Sequence, residues 1–138
     1  MSYLIAYISV LVVFGGADAC WLRIMGPLIY RPALGEILAP SLRVAPAIAF
    51  YLGYPVGVVV FAVIPGLRAG MASSALFPAL LFGALAYGTY DLTNYATLRH
   101  WTFQITILDI LYGALVSGLA AVAAYALVRA SVGFSSTP

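Results

Sequence analysis

The chain has little charge and contains no lysine. Only 7% of its 138 residues are charged, whereas soluble domains average about 25% charged residues. Hydrophobic residues make up 64% of the chain, against about 45–50% in soluble domains. The mean hydropathy is +1.08. This composition excludes an ordinary soluble domain and indicates an integral membrane protein. The net charge of +2 is too sparse to attract nucleic acid, so we expect no nucleic-acid partner.

Cysteine and histidine are also scarce, with one residue of each. Cys20 cannot form a disulfide within the chain, and no cysteine–histidine cluster has the spacing of a zinc site. The sequence also lacks a glycine-rich phosphate loop and a G-x-S-x-G elbow. His100 has no supporting motif and is more simply an interfacial residue than a base. We therefore expect neither a metal nor a cofactor.

Long apolar runs are abundant. A helix needs about 20 apolar residues to cross a hydrocarbon core of about 30 Å. Four segments meet this requirement: about residues 3–24, 44–64, 72–96 and 103–128. Pro65-Gly66 predicts the end of the second segment. We predict a single-domain, all-α integral membrane protein that forms a bundle of four transmembrane helices. A short interfacial segment is expected between helices one and two, and a short polar tail at 129–138.

A polar stretch ends the third apolar run. Residues 90–101 read YDLTNYATLRHW, which places an acid, an amide, hydroxyls, an arginine, a histidine and a tryptophan together. With Asp109 downstream and Asp18-Ala-Cys-Trp-Leu upstream, this stretch resembles an uncharacterised bacterial membrane family called domain of unknown function 2177. The resemblance covers nearly the whole chain and implies a four-helix protein of the bacterial inner membrane. It brings no activity that can be transferred.

The arginines predict a topology. Four spans put both termini on one side of the membrane. Connections one and three carry four arginines and the other side carries two: Arg23, Arg31, Arg43 and Arg99 against Arg68 and Arg129. Because basic residues are enriched in cytoplasmic connections, we expect connections one and three in the cytoplasm and the termini in the periplasm or outside the cell.

Three aspartates lie toward the same side. Asp18 is near the end of the first span, Asp91 near the end of the third and Asp109 near the start of the fourth. Burying an aspartate in hydrocarbon costs on the order of 2.5–3.5 kcal/mol, so we expect all three to face the bundle interior. Intramembrane acids commonly mark functional sites. A structural network that locks the helices together is the alternative.

Small and polar residues accompany these acids at helical spacing. One stripe contains Gly83, Tyr87, Asp91 and roughly Asn94 or Tyr95, and the other contains Asp109, Gly113, Ser117 and Ala121. Small residues four apart let a neighbouring backbone approach closely. The second stripe is therefore expected to pack inside the bundle or to join two chains, which makes Gly113, Ser117 and Ala121 a possible homodimer contact.

We predict a polar pocket around these acids. Its walls are Thr93, Asn94 and Tyr112, Trp21 or Trp101 lies near its mouth, and Tyr87, Tyr90 and Arg99 complete the candidate ligand-binding residues. Three close carboxyls cannot all be ionised unless an arginine or a bound cation compensates, and Arg23, Arg31 and Arg99 are available. Any catalytic role would fall to Asp18, Asp91 or Asp109.

Three classes of function fit this pocket. The first is binding of a lipid headgroup or another small polar ligand, with membrane lipids as partners and with catalysis by the acids left open. The second is a proton-coupled transporter of a small molecule or cation that acts as a dimer. The third is a structural membrane subunit without chemistry. Carriers tend to place their sites near the bilayer midplane, whereas these acids are expected roughly one to two turns from one interface, which favours the first class.

Overall fold

The computed structural model describes residues 1–135, which form helices and no strand. Four helices are long and apolar enough to cross a membrane: α1 (Ser2–Leu34), α2 (Val44–Ala69), α3 (Ser73–Thr97) and α4, of which Phe103–Ser131 can span. The predicted all-α bundle of four transmembrane helices is confirmed. Two connections, residues 35–43 and 98–102, lie at the same end of this bundle because successive helices alternate in direction.

The first helix is longer than predicted. It consists of three consecutive segments: the α-helical Ser2–Met25, the π-helical Gly26–Tyr30 and the α-helical Arg31–Leu34. In a regular α-helix the ring of Pro32 would collide with the carbonyl group of Leu28. The wider π-helical turn relieves this collision, so the helix continues. The predicted helix end near residue 24 was wrong, and the irregular connection is confined to residues 35–43.

The second helix passes a proline in the same way. A π-helical segment, Val59–Val63, ends two residues before Pro65, just as Gly26–Tyr30 ends two residues before Pro32. The predicted stop at Pro65-Gly66 was therefore wrong. The helix ends instead at Gly70, whose φ of 68° is a left-handed conformation that glycine adopts without strain.

The third and fourth helices begin near their predicted positions. α3 covers Ser73–Thr97, against a predicted 72–96, and contains Pro78 near its second turn. α4 begins at Phe103 as predicted but continues to Ser135, beyond the predicted end at 128. Part of the predicted polar tail is therefore helical. Its last three residues, 136–138, lie outside the described residues.

The closest helix packing joins α3 to α4. A Cβ atom added to Gly83 would overlap the carbonyl oxygen of Gly113 and lie 2.6 Å from the Oγ atom of Ser117. Ser117 and Ala121 are completely buried in this contact region. The predicted small-residue stripe is thus occupied within one chain. Of the two arrangements that the sequence left open for Gly113, Ser117 and Ala121, the structure shows packing inside the bundle.

The two parts of α2 lie at different distances from α3. The backbone of its later part, residues 59–69, lies close to α3. Its first part, residues 44–58, packs against α1 and reaches α3 mainly through large side chains, as in the contact of Tyr54 with Phe82. A Cβ atom added to Gly66 would lie 2.6 Å from the Cβ atom of Ala75, so the two backbones nearly touch there. α2 and α3 therefore diverge toward the end of the bundle that carries connections 35–43 and 98–102.

We expect Gly83→Ala to destabilise the bundle, because its new methyl group would overlap the backbone of α4. Overpacking typically costs about 1–3 kcal/mol in the free energy of unfolding, which denaturation in detergent micelles measures. Gly16→Ala is the matched control, since a Cβ atom there has nothing within 4 Å. It should be neutral or slightly stabilising. Equal losses in the two variants would contradict the close approach of α3 and α4.

Candidate functional site

A cavity of about 1010 Å³ lies where α2 and α3 diverge. All four helices and the two connections at this end contribute to its lining. Most of the lining is aromatic or aliphatic, and a small number of polar groups face the same space: Asp18, Tyr30, Arg31, Asn94 and Asp109. An apolar cavity with a few convergent polar groups is the usual form of a ligand site.

The Asp18 carboxyl group is held between two helices. It is 7% exposed, and its Oδ2 atom accepts a hydrogen bond from the hydroxyl group of Tyr51 on α2. The hydroxyl group of Tyr112 lies beside it. The ring of Tyr112 stacks on Trp21, with centroids 4.1 Å apart and planes at 14°. Asp18 therefore links α1 to α2 and faces an aromatic wall from α1 and α4.

The Asp109 carboxyl group is held by a relay of two aromatic residues. The Nε1 atom of Trp21 donates to the hydroxyl oxygen of Tyr30 at 2.8 Å, and that hydroxyl group donates to Asp109. Tyr30 lies in the π-helical turn of α1. Had α1 ended near residue 24, no tyrosine would reach Asp109 from this helix. The unexpected continuation of α1 thus completes the site.

Asp91 is the most isolated of the three acids. Its side chain is 0% exposed, and neither of its carboxyl oxygens has a hydrogen-bond partner among the described residues. The carboxyl group of Asp109 is its neighbour, close enough for the two acids to share one proton. An ionised carboxylate without partners is expensive in such surroundings. Asp91 is therefore the group that a proton, a hydrogen-bond donor or a ligand cation would stabilise most.

A further hydrogen-bond chain fixes the aromatic lining on α2. Ser117 donates its single hydroxyl proton to the carbonyl oxygen of Gly113 at 2.6 Å. Tyr54 must consequently be the donor in its 2.7 Å bond to Ser117. The ring of Tyr54, which lines the cavity, stacks on Phe14 at 4.6 Å between centroids. This part of the wall is rigidly tied to α1 and α4.

Tyrosines, rather than arginines, donate to two of the three buried acids, Asp18 and Asp109. Among residues 1–131, whose side chains are described, the one salt bridge joins the Nε2 atom of His100 to the Oε2 atom of Glu36 at 3.8 Å, and both side chains are exposed. Arg31 lines the cavity without pairing with an acid. Arg23 and Arg99 are exposed and do not line it. Of the two kinds of compensation that the sequence left open, an arginine or a bound cation, no arginine pairs with these acids in the described part of the chain.

Most of the predicted site residues meet at the cavity. Those that line it are Asp18, Trp21, Tyr87, Tyr90, Asn94, Trp101 and Asp109. Asp91 and Tyr112 lie beside lining acids. Thr93 does not belong to the site, because it is exposed and its hydroxyl group donates to the backbone carbonyl oxygens of Thr89 and Tyr90. Arg99 likewise projects from the connection after α3.

The three acids lie at different distances from the ends of their helices. Asp91 lies six residues before Thr97, the end of α3, and Asp109 lies six residues after Phe103, the start of α4. Each is therefore roughly 9 Å from that helix end at 1.5 Å per residue. Asp18 is at the middle of the 33-residue α1, rather than near its end as predicted. The site therefore extends from the helix ends toward the interior.

Several residues of the site were missed in the sequence. Tyr51 and Tyr54 lie on one face of an apolar helix, and each donates its hydroxyl group across the bundle. A pair of tyrosines inside a span, away from the interfacial belt, was the signal that could have identified them. Tyr30 was missed because the prolines around it predicted a broken segment, and Arg31 was named only as an available partner of the acids.

Residues 3–126 match the model of a family described as "Predicted membrane protein (DUF2177)". No curated protein and no solved structure matches the chain. The matched range contains the whole site, from Asp18 to Tyr112.

Tyr51→Phe should destabilise the protein, because it leaves a buried oxygen of Asp18 without its donor. Hydrogen bonds between transmembrane helices average about 0.6 kcal/mol and reach about 1.7 kcal/mol, and we expect the upper part of this range for a carboxyl acceptor. Thermal unfolding in detergent provides the measurement.

Tyr125→Phe is the matched control, since the Tyr125 hydroxyl makes no hydrogen bond in the described part of the chain. In an Asp18→Ala background the cost of Tyr51→Phe should disappear. An undiminished cost would show that Tyr51 acts through packing and would contradict the proposed bond.

Proposed function

The chain belongs to this DUF2177 family of membrane proteins, and on that premise we propose that its cavity binds a membrane lipid by the headgroup. The observation that carries this proposal is the division of the lining. Carboxyl and hydroxyl groups occupy the part between α1 and α4. Aliphatic side chains that are exposed at the surface line the remainder: Leu22, Ile37, Leu38, Leu42 and Leu98. A ligand that fills both parts is amphipathic.

The gap between α2 and α3 supports lipid as the ligand. α3 is apolar along most of its length, and the first part of α2 stands away from it. A headgroup could therefore enter sideways while the acyl chains stay in hydrocarbon. The exposed aliphatic side chains of Leu38 and Leu42 would cover the part of the lipid nearest the interface. A soluble polar ligand would gain nothing from these contacts.

The arrangement in the membrane follows from the arginine bias. We place connections 35–43 and 98–102 in the cytoplasm and the protein in the bacterial inner membrane, with both termini on the periplasmic or outer side. The cavity then opens at the cytoplasmic leaflet. The proposal is confined to binding, and Asp18, Asp91 and Asp109 are the candidates for any acid–base step.

Wild-type protein should carry lipid through gentle detergent extraction, and Asp109→Asn should reduce the bound fraction by about tenfold, the effect of one lost charge-assisted contact. Native mass spectrometry measures the bound fraction directly. Glu36→Gln is the matched control, because Glu36 is an exposed acid at the same end of the bundle and does not line the cavity. Lipid-free wild-type protein, or equal retention in folded Asp109→Asn, would contradict lipid binding at this site.

A second candidate function is proton-coupled transport, which the isolated carboxyl group of Asp91 favours. A buried acid without hydrogen-bond partners can gain and lose a proton without breaking a network. The dimer expected for such a carrier would need another contact, since the Gly113 stripe is occupied within the chain.

If Asp91 carries protons, wild-type protein in liposomes should dissipate an imposed pH gradient faster than empty vesicles. Asp91→Asn should return the rate to that of empty vesicles, because the amide cannot exchange a proton, while Glu36→Gln should leave it unchanged. A pH-sensitive dye in the lumen reports the rate. An unchanged rate in Asp91→Asn would exclude this role of Asp91.

A further inference from the structure

We infer that the preferred lipid carries both a primary amine and a phosphate group in its headgroup, with the amine held by the buried aspartates and the phosphate by Arg31 and Trp101. This inference rests on the proposed lipid binding and names the class of lipid. Two observations carry it. One concerns hydrogen-bond acceptors that the protein leaves unused around Asp109, and the other concerns unused donors on the adjacent wall.

The acid side of the cavity has more acceptors than donors. Asp18 and Asp109 each use one carboxyl oxygen to accept a tyrosine hydroxyl group, through Oδ2 and Oδ1 respectively, and both residues line the cavity. Asp91, next to Asp109, is 0% exposed and does not line the cavity, so a ligand there would act on it only through Asp109. No arginine pairs with any of these acids in the described part of the chain. The missing component is a cation that can donate several hydrogen bonds.

The adjacent wall has the opposite deficit. Arg31 lines the cavity and pairs with no acid. Trp101 also lines it, is only 8% exposed, and has a buried indole N–H without an acceptor. Trp101 packs against Leu34, which is three residues after Arg31 and so on the same face of α1. An arginine and an indole N–H are both hydrogen-bond donors, and they suit a phosphate oxygen.

The unused acceptors and the unused donors are linked to two consecutive residues of α1. Tyr30 donates to Asp109, and Arg31 follows it directly. Arg31 and Asp109 also line the same cavity, so we take the anionic group at Arg31 and the cationic group at Asp109 to belong to one small headgroup, in which two carbon atoms separate a phosphate from an amine. A zwitterion of this kind neutralises both sides of the cavity at once, whereas an anionic headgroup would face the aspartates with like charge.

The amine is primary rather than quaternary. Trp21, Tyr87 and Tyr90 line the cavity, and their rings would favour any cation. A choline group, however, has no N–H to offer, so the second carboxyl oxygens of Asp18 and Asp109, the two acids that line the cavity, would accept no hydrogen bond from it. An ethanolamine group has three N–H donors and satisfies them. The observations therefore select an ethanolamine phospholipid of the bilayer.

Competition among headgroups tests this inference. The probe is a nanodisc that contains equal amounts of three phospholipids with identical acyl chains and with ethanolamine, choline or glycerol headgroups. After gentle extraction, native mass spectrometry measures how much of each stays bound to wild-type protein. We expect ethanolamine lipid to exceed each of the others by about tenfold, the effect of one charge-assisted hydrogen bond.

Two variants separate the two contacts. Asp109→Asn should remove the preference for ethanolamine over glycerol headgroups. Arg31→Gln should lower the retention of all three phospholipids but keep the order among the headgroups. The matched controls are Glu36→Gln and Arg23→Gln, which neutralise an exposed acid and an exposed arginine that do not line the cavity, and both should behave as wild type.

Each contrary result overturns a defined part of the inference. If wild-type protein binds lipid without any headgroup preference, the amine contact is overturned but lipid binding stands. A preference for the choline headgroup would have the same consequence. Arg31→Gln that retains as much lipid as Arg23→Gln would overturn the phosphate contact. Displacement of the lipid by free phosphoethanolamine would identify a soluble ligand instead. Wild-type protein without any lipid would overturn the proposed function itself.

Discussion

The cost of placing carboxyl groups inside a lipid-embedded bundle is the constraint on which the rest of this structure depends. Such a group costs on the order of 2.5–3.5 kcal/mol when it faces hydrocarbon alone. The protein meets the constraint with tyrosine hydroxyl groups: Tyr51 of α2 donates to Asp18 of α1, and Tyr30 of α1 donates to Asp109 of α4. Each bond joins two helices, so satisfying the acids also fixes how α1, α2 and α4 stand relative to one another.

Hydrocarbon offers few hydrogen-bond partners to the backbone as well. This scarcity explains which parts of the predicted fold were right and which were wrong. Length and apolarity suffice to identify the four spans, because only a helix satisfies its own backbone in hydrocarbon. The prolines were misleading for the same reason. In water a chain can end a helix at Pro32 or Pro65 and hydrate the free groups, but in a membrane the helix continues and adjusts locally. The π-helical turns before both prolines are that adjustment, and they could not be read from residue types alone.

The candidate site was predictable only in part. Helix direction was enough to bring Asp91 and Asp109 to the same end, and helical spacing was enough to put Asn94 on the face of Asp91. The same spacing argues against Thr93, because two residues correspond to a rotation of about 200° around the helix, and Thr93 is exposed as that rotation implies. The tyrosine partners depend on how each helix is rotated toward its neighbours, which a single sequence does not specify.

Residue size explains why a cavity exists at one end of the bundle and not along its whole length. Where α2 meets α3 near Gly66 and Ala75, small side chains let the backbones nearly touch. Toward the other end the facing residues are aromatic: the ring of Tyr54 lies 5.3 Å from that of Phe82 and 6.2 Å from that of Tyr87. These rings hold the helices apart, and the carboxyl groups lie beside the space that results. If small residues faced each other along the whole length of α2 and α3, no such space would form. The change from glycine and alanine at one end to tyrosine and phenylalanine at the other is therefore what leaves Asp18 and Asp109 at the wall of a cavity.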